Sequence, residues 1–159
     1  MFLGEVTIMK VQGSTIIPSL RYHDAHAAIE WLVRVFGFKK QAVYQGPHNT
    51  VAHAQLTYGG GMLMLGSASN TGIFAKLAID LKETGRRETV GLSLIVSDEE
   101  CAAMYERVKK EGAEIVQPLS SPDYGGKSFG CRDLEGHIWW VGSYNPWAEY
   151  KGPEAEGTA

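Results

Sequence analysis

Cysteine is scarce in this 159-residue chain: Cys101 and Cys131 are the only two, with no CxxC metal pair and no disulfide framework. Both fall within predicted regular elements and read as buried small apolar residues in a reducing cytoplasm. Long apolar runs are also missing, and nothing approaches the roughly 18 residues of a membrane-spanning helix. Met1 to Lys10 has neither a basic leader nor a long apolar stretch, so no secretory signal is expected. Charge of one sign is not concentrated anywhere. The net charge is −3 and no Lys or Arg block stands out, which argues against nucleic acid or an anionic membrane as the main partner. GxSxG, Walker and dinucleotide-binding fingerprints are absent. Gly59-Gly60-Gly61 precedes an apolar strand rather than a helix, so it is a hairpin turn and not a phosphate cradle.

What is present is an ordinary globular composition, 44% hydrophobic and 21% charged, in a chain long enough for a real core. Ser14 to Tyr22 reads as a strand with Pro18 marking an edge or bulge. Asp24 suits a helix N-cap, and Ala28, Ile29, Leu32, Val33 and Phe36 recur at helical spacing up to Gly37. Phe38 to Gln45 is a second strand. Thr50 to Tyr58 alternates, with Ala52, Ala54 and Leu56 on one face and His53, Gln55 and Thr57 on the other. Met62 to Leu65 completes the series before Gly66-Ser67.

The second half repeats this order. Thr89 to Val96 is a strand, Asp98 caps a helix through Lys110, and Gly112 ends it. Ala113 to Gln117 is a strand closed by Pro118. Lys127 to Arg132, the Asp133–Gly136 turn and His137 to Val141 follow, before Gly142-Ser143. Asp24 and Asp98 stand 74 residues apart, Gly37 and Gly112 75, and Gly66 and Gly142 76. A shared offset of this length signals two copies of one βαβββ module. The expected fold is therefore α+β: two tandem βαβββ modules whose curved mixed sheets surround a central cavity, with helices on one sheet face. Module one covers 14–67, a linker or lid 68–87, module two 88–146 and a tail 147–159, all within one domain. Ile73 to Leu81 can form a short helical turn over the pocket, and the tail is expected to be disordered from about Gly152.

The stretches IIPSLRYHDAHAAIEWLVRVFGF, VAHAQLTYGGGMLMLGSA and DYGGKSFGCRDLEGHIWWVGSY, with the EGAEI turn after the second helix, resemble the vicinal oxygen chelate (glyoxalase/bleomycin-resistance/dioxygenase) superfamily, in particular its glyoxalase-like, PhnB-like branch. The resemblance covers roughly residues 14 to 146. It implies paired βαβββ modules around a cavity. In metal-dependent members it also implies His, Glu or Gln ligands on the first and last strands of each module, holding a Lewis-acidic metal. Carried over one at a time, those positions fall near Ile17, Met64, Gly91 and Trp140. A slip of one residue gives Pro18, Leu65, Val90 or Trp139. None is a usual ligand, so no metal and no cofactor are expected. The departure points to the non-metal members, which resemble bleomycin-resistance proteins that hold a small molecule, usually as dimers.

The residues suggest their own candidates. His53 and Gln55 lie on the polar face of an alternating strand, where they can hydrogen-bond a ligand; the alternative is a satisfied structural histidine. Of the two adjacent tryptophans one should enter the core, and Trp140 is expected to line the cavity, where a flat ring can stack on a planar ligand. Arg21 can hold an anionic group as a fork or form a surface salt bridge. Tyr124, in SPDYGGK, can reach over the pocket mouth or lie on the surface. Arg132 pairs locally with its own turn. His23, Asp24 and His26 are three potential ligands within four residues, but Asp24 is already explained as a cap and the spacing matches no zinc pattern. The expectation is a cytoplasmic, homodimeric small-molecule binding protein. A glyoxalase-like lyase, isomerase or dioxygenase with a divergent or relocated metal site is the alternative.

Overall fold

The computed structural model describes residues 11–69, 72–123 and 125–151. Its chain divides into two compact units, residues 1–86 and 87–159. Each is built the same way. In the first, β1 (Ser19–Tyr22), α1 (Ala25–Trp31), β2 (Lys39–Gln45), β3 (Val51–Tyr58) and β4 (Gly61–Ser67) form a four-stranded sheet in the order β1-β4-β3-β2. In the second, β5 (Leu92–Ile95), α2 (Asp98–Lys110), β6 (Ile115–Ser120), β7 (Ser128–Arg132) and β8 (Ile138–Gly142) give the order β5-β8-β7-β6. The first and last strands of each unit run parallel and the others antiparallel, so both sheets are mixed. The βαβββ repeat expected from the sequence is present twice.

Period-two alternation explains which side chains go inside. In the first sheet Leu20, Tyr22, Ala54, Leu56, Leu63 and Leu65 are buried beneath α1. In the second the same face carries Leu92, Leu94, Phe129, Cys131, Trp139 and Val141. The opposite, helix-averted faces carry the residues between them. One clip recurs in both units: Ser67 Oγ accepts the Val51 N–H at 2.9 Å, and Ser143 Oγ accepts the Lys127 N–H at 2.9 Å. The hydroxyl closes the end of the β3–β4 and β7–β8 pairs, where a ladder bond would otherwise be lost.

Several boundaries differ from the sequence reading. Strand β1 begins only at Ser19, because Pro18 has no N–H to donate, although its carbonyl still accepts from Met64 N at 2.9 Å. Pro118 does not close β6; that strand runs on to Ser120, which an edge strand with shifted register tolerates. The cap of α2 is Ser97, whose side chain accepts from Glu100 N, and Asp98 is the first helical residue. A register shift in the β2–β3 pair leaves Ala52 exposed and buries Val51 instead. After α1, Leu32–Phe36 is a π-helical turn ending at Gly37 in the left-handed region (φ 83°). Within this turn Leu32, Val35 and Phe36 are buried, whereas Val33, which a 3.6-residue pattern places inside, is only half-buried. The segment between the modules carries a 3-10 turn at Ile73–Lys76 and anchors itself through buried Asp80 and Leu81. The tail from Gly152 lies outside the described residues.

Candidate functional site

The helix-averted face of the first sheet gathers three of the predicted side chains. The β3–β4 register pairs Gln55 with Met64, the β1–β4 register pairs Arg21 with Gly66, and the β2–β3 register pairs Tyr44 with His53. Tyr44, His53, Gln55 and Arg21 therefore share a face across four strands. His53 and Gln55 are half-buried, and the Gln55 amide nitrogen lies 3.1 Å from His53 Nε2. With that amide as donor, Nε2 is the acceptor. Tyr44 stacks on the imidazole with ring centroids 6.1 Å apart and planes 27° apart. The sequence reading missed Tyr44; its signal was the register of β2, which alternation alone does not reveal.

Arg21 is 8% exposed, so it is a buried side chain and not a surface one. Its guanidinium passes over Gly66, where a Cβ would meet Nη1 at 3.2 Å, and donates to the Ser67 carbonyl. Loss of hydration on burial lowers its pKa from the usual guanidinium value.

On the second sheet the tryptophans divide as alternation requires. Trp139 is 2% exposed and its Nε1 donates to Asp133 Oδ2 at 3.0 Å, whereas Trp140 is 43% exposed on the helix-averted face. Ser93 and Gly130 flank Trp140 in register, on β5 and β7. Tyr124 lies outside the described residues. Arg132 is held locally, donating to the Gly136 carbonyl at 2.8 Å and facing Glu114 at 3.4 Å.

A polar network that the sequence did not disclose lies beneath Trp139. Asp133 is buried, and its Oδ1 accepts the backbone N–H of Glu135, Gly136 and His137 at 3.0–3.1 Å. His137 Nδ1 lies 2.7 Å from Glu88 Oε2, and Glu88 Oε1 accepts from Ile138 N at 2.6 Å. These contacts build the hairpin and the start of β8, and they spend both carboxylates. The two thiols are free and buried. Burial, with Asp133 nearby, pushes Cys131 up to about 12, and burial likewise raises Cys101, so neither is an activated nucleophile.

The first unit also contains a cleft of about 560 Å³ beside the first turn of α1, lined by His23, Asp24, His26, Glu30, Asn49 and Ser67 among others. None of the predicted ligand residues lines it. Asp24 caps α1 by accepting from Ala27 N at 3.0 Å, and Glu30 pairs with Lys40. Among the described residues, no group of three or more His, Cys, Asp or Glu is placed to hold a metal ion. The positions that the resemblance implies for metal ligands, near Ile17, Met64, Gly91 and Trp140, offer a thioether and no carboxylate or imidazole, so these residues do not fit a hard or zinc-type metal.

The profile of the Glyoxalase/Bleomycin resistance protein/Dioxygenase superfamily matches residues 14–141. Among solved structures, TioX from Micromonospora sp. ML1 is 32% identical, covering 84% of this chain and 100% of its own, with a TM-score of 0.62. A glyoxalase-related enzyme from Fulvimarina pelagi is 22% identical over 84% of this chain and 88% of its own (TM-score 0.62). The fosfomycin resistance protein FosX from Mesorhizobium loti is 14% identical over 86% and 96% (TM-score 0.58). The last two likenesses concern the fold alone. No curated protein matches the chain.

Proposed function

The chain belongs to the glyoxalase/bleomycin resistance protein/dioxygenase superfamily, and we propose that within it this protein binds a small molecule without the superfamily's metal. The observation that carries this reading is the chemistry of the four positions that the resemblance implies for metal ligands: Ile17, Met64, Gly91 and Trp140 cannot replace His and Glu donors. What the sheets offer instead is a polar face with His53, Gln55 and Arg21 and an aromatic face with Trp140. His53 and Gln55 supply hydrogen bonds, Arg21 a fixed cation and Trp140 a stacking surface. Tyr124 is kept as a candidate contact on its sequence position alone. The protein is read as a cytoplasmic homodimer, a reading supported by its free cysteines and by the edge strands β1, β2, β5 and β6, each paired on one side within its own sheet.

The test is elemental analysis of purified protein with ligand retention followed in parallel. Metal-poor protein that retains a co-purifying small molecule, lost in Trp140→Ala and His53→Ala, is the expected result. Stoichiometric divalent metal whose removal abolishes function would overturn the reading.

A lyase, isomerase or dioxygenase with a relocated metal is the rival. The cleft favours it in one respect, since His23 and His26 both line it. Turnover of a hemithioacetal, epoxide or catechol that rises with added Ni, Zn, Mn or Fe and falls in His23→Ala would establish the rival.

A further inference from the structure

We propose that Gly130 is the residue that makes Trp140 a stacking shelf, by leaving the indole room to lie flat on the sheet. A planar conjugated ring is then the class of ligand this face takes. The inference rests on the small-molecule reading above for its ligand, but not for the placement of the ring.

The two ends of the indole lie over glycines on opposite sides of β8. A Cβ on Gly130, in β7, would stand 2.6 Å from Cζ3 and 2.9 Å from Cε3 of Trp140, far inside contact distance. A Cβ on Gly91, just before β5, would stand 3.8 Å from Cδ1 and Nε1. The benzo edge therefore reaches toward one neighbouring strand and the pyrrole edge toward the other. With strands about 4.8 Å apart, a ring that touches both flanks of its own strand lies along the sheet rather than standing on it. Trp140 nevertheless keeps 43% of its surface exposed, which is the outward face of a ring whose inward face rests on backbone. Ile95 lies on β5, beside β8, and Val116 on β6, beyond β7, and both are exposed.

The equivalent place in the first sheet shows what the glycine does. There Gln55 pairs with Met64, as Gly130 pairs with Trp140. A long side chain sits beside a slender one in the first sheet, and no side chain sits beside a wide ring in the second. Gly130 is not in the left-handed region, so alanine there carries no backbone strain and acts by volume alone. The Val116 side chain would also crowd that Cβ, at 2.8 Å.

The experiment uses full-length protein with 2-naphthol as the planar probe and decahydro-2-naphthol as its saturated counterpart. In unligated protein, nuclear Overhauser contacts between the Trp140 benzo protons and the Gly130 α-protons report the resting place of the ring. Gly130→Ala is expected to lose contacts from those benzo protons to residue 130 as the ring lifts. It should also weaken 2-naphthol about tenfold, to the level of Trp140→Ala, with little change for the saturated probe. Gly91→Ala, with room for its methyl, should stay within about twofold of wild type. Gly130→Ala combined with Val116→Ala removes the second clash and should behave like Gly130→Ala, which separates ring displacement from misfolding. Ring contacts that persist in Gly130→Ala, or undiminished 2-naphthol binding after they are lost, overturn the role given to Gly130. Wild-type protein that binds neither probe overturns the ligand class and the small-molecule reading of this face, while the ring contacts still decide the role of Gly130.

Discussion

The two βαβββ units share their helix-side packing and differ on the other face. Beneath the helices they are near copies: Leu56 pairs with Leu63 where Cys131 pairs with Trp139, and the Ser67 and Ser143 clips close the same hairpins. On the helix-averted faces, the first unit sets out Arg21, His53, Gln55 and Tyr44, and the second Ser93, Ile95, Gly130 and Trp140. Their turns also diverge. The β3–β4 turn is made by glycines, whereas the β7–β8 turn is organised by the Asp133 carboxylate. Packing thus constrains one face of each sheet to apolar shapes, while the other is free to specialise, one copy as a hydrogen-bonding surface and the other as an aromatic one.

The largest expected effect tests the contrast between the turns. Asp133→Ala removes acceptors from three backbone N–H groups and the Trp139 indole and should cost about 4 kcal/mol in urea unfolding. Gly60→Ala in the other turn, where a Cβ meets nothing within 4 Å, should cost less than about 1 kcal/mol. Equal losses would break the comparison.

Glu88→Ala comes next, at about 2–3 kcal/mol, because it leaves both His137 Nδ1 and the Ile138 N–H without their carboxylate. Glu88→Gln should recover part of that loss by keeping one oxygen on Ile138.

Cys131 provides a pH test, since its counterpart Leu56 does not titrate. A folded-state thiol at about 12, against 9.0 as its ordinary value, favours the protonated form in the native protein. The unfolded chain releases that proton first, so stability is full below about pH 9 and falls as pH rises toward 12, by about 1.4 kcal/mol per unit. Urea unfolding at pH 8 and pH 10 should show a larger loss in the wild type than in Cys131→Ala, where only the buried Cys101 thiol still contributes; parallel curves would remove Cys131 as a cause.

The smallest effect rebuilds one face in the image of the other. Met64→Trp alone should be destabilising, because Gln55 occupies the space that Gly130 leaves open in the second sheet. Adding Gln55→Gly should recover about 1 kcal/mol through coupling of the two sites, read by a double-mutant cycle. Additive losses would mean that the two faces differ in more than this pair.

Much of the fold was legible because it rests on local signals. Alternation in Thr50–Tyr58, the glycines at 37 and 112 and the Gly-Ser strand ends are periodic or positional, and they sufficed to reveal the repeat. The errors lay where neighbouring solutions have similar local energy. Ser97 and Asp98 are both competent caps, and hydrogen bonding to Glu100 selected the first. In the π turn after α1, Val35 is buried and Val33 only half-buried, an outcome that the apolar spacing alone did not select. For the candidate site, the facing of His53, Gln55 and Trp140 was readable from strand parity. Tyr44 beside His53 was not, because it depends on how β2 is registered against β3, a bulged pairing set by contacts across strands.

The sequence by itself determined the duplicated βαβββ order and most of the strand parity, since period is a local property of the chain. The tertiary structure alone decided that Arg21 is buried, that Glu88 reaches His137 from about fifty residues away and that Trp140 rests on Gly130. Those three facts depend on which strands become neighbours, and residues far apart in the chain become neighbours only once the sheets have formed.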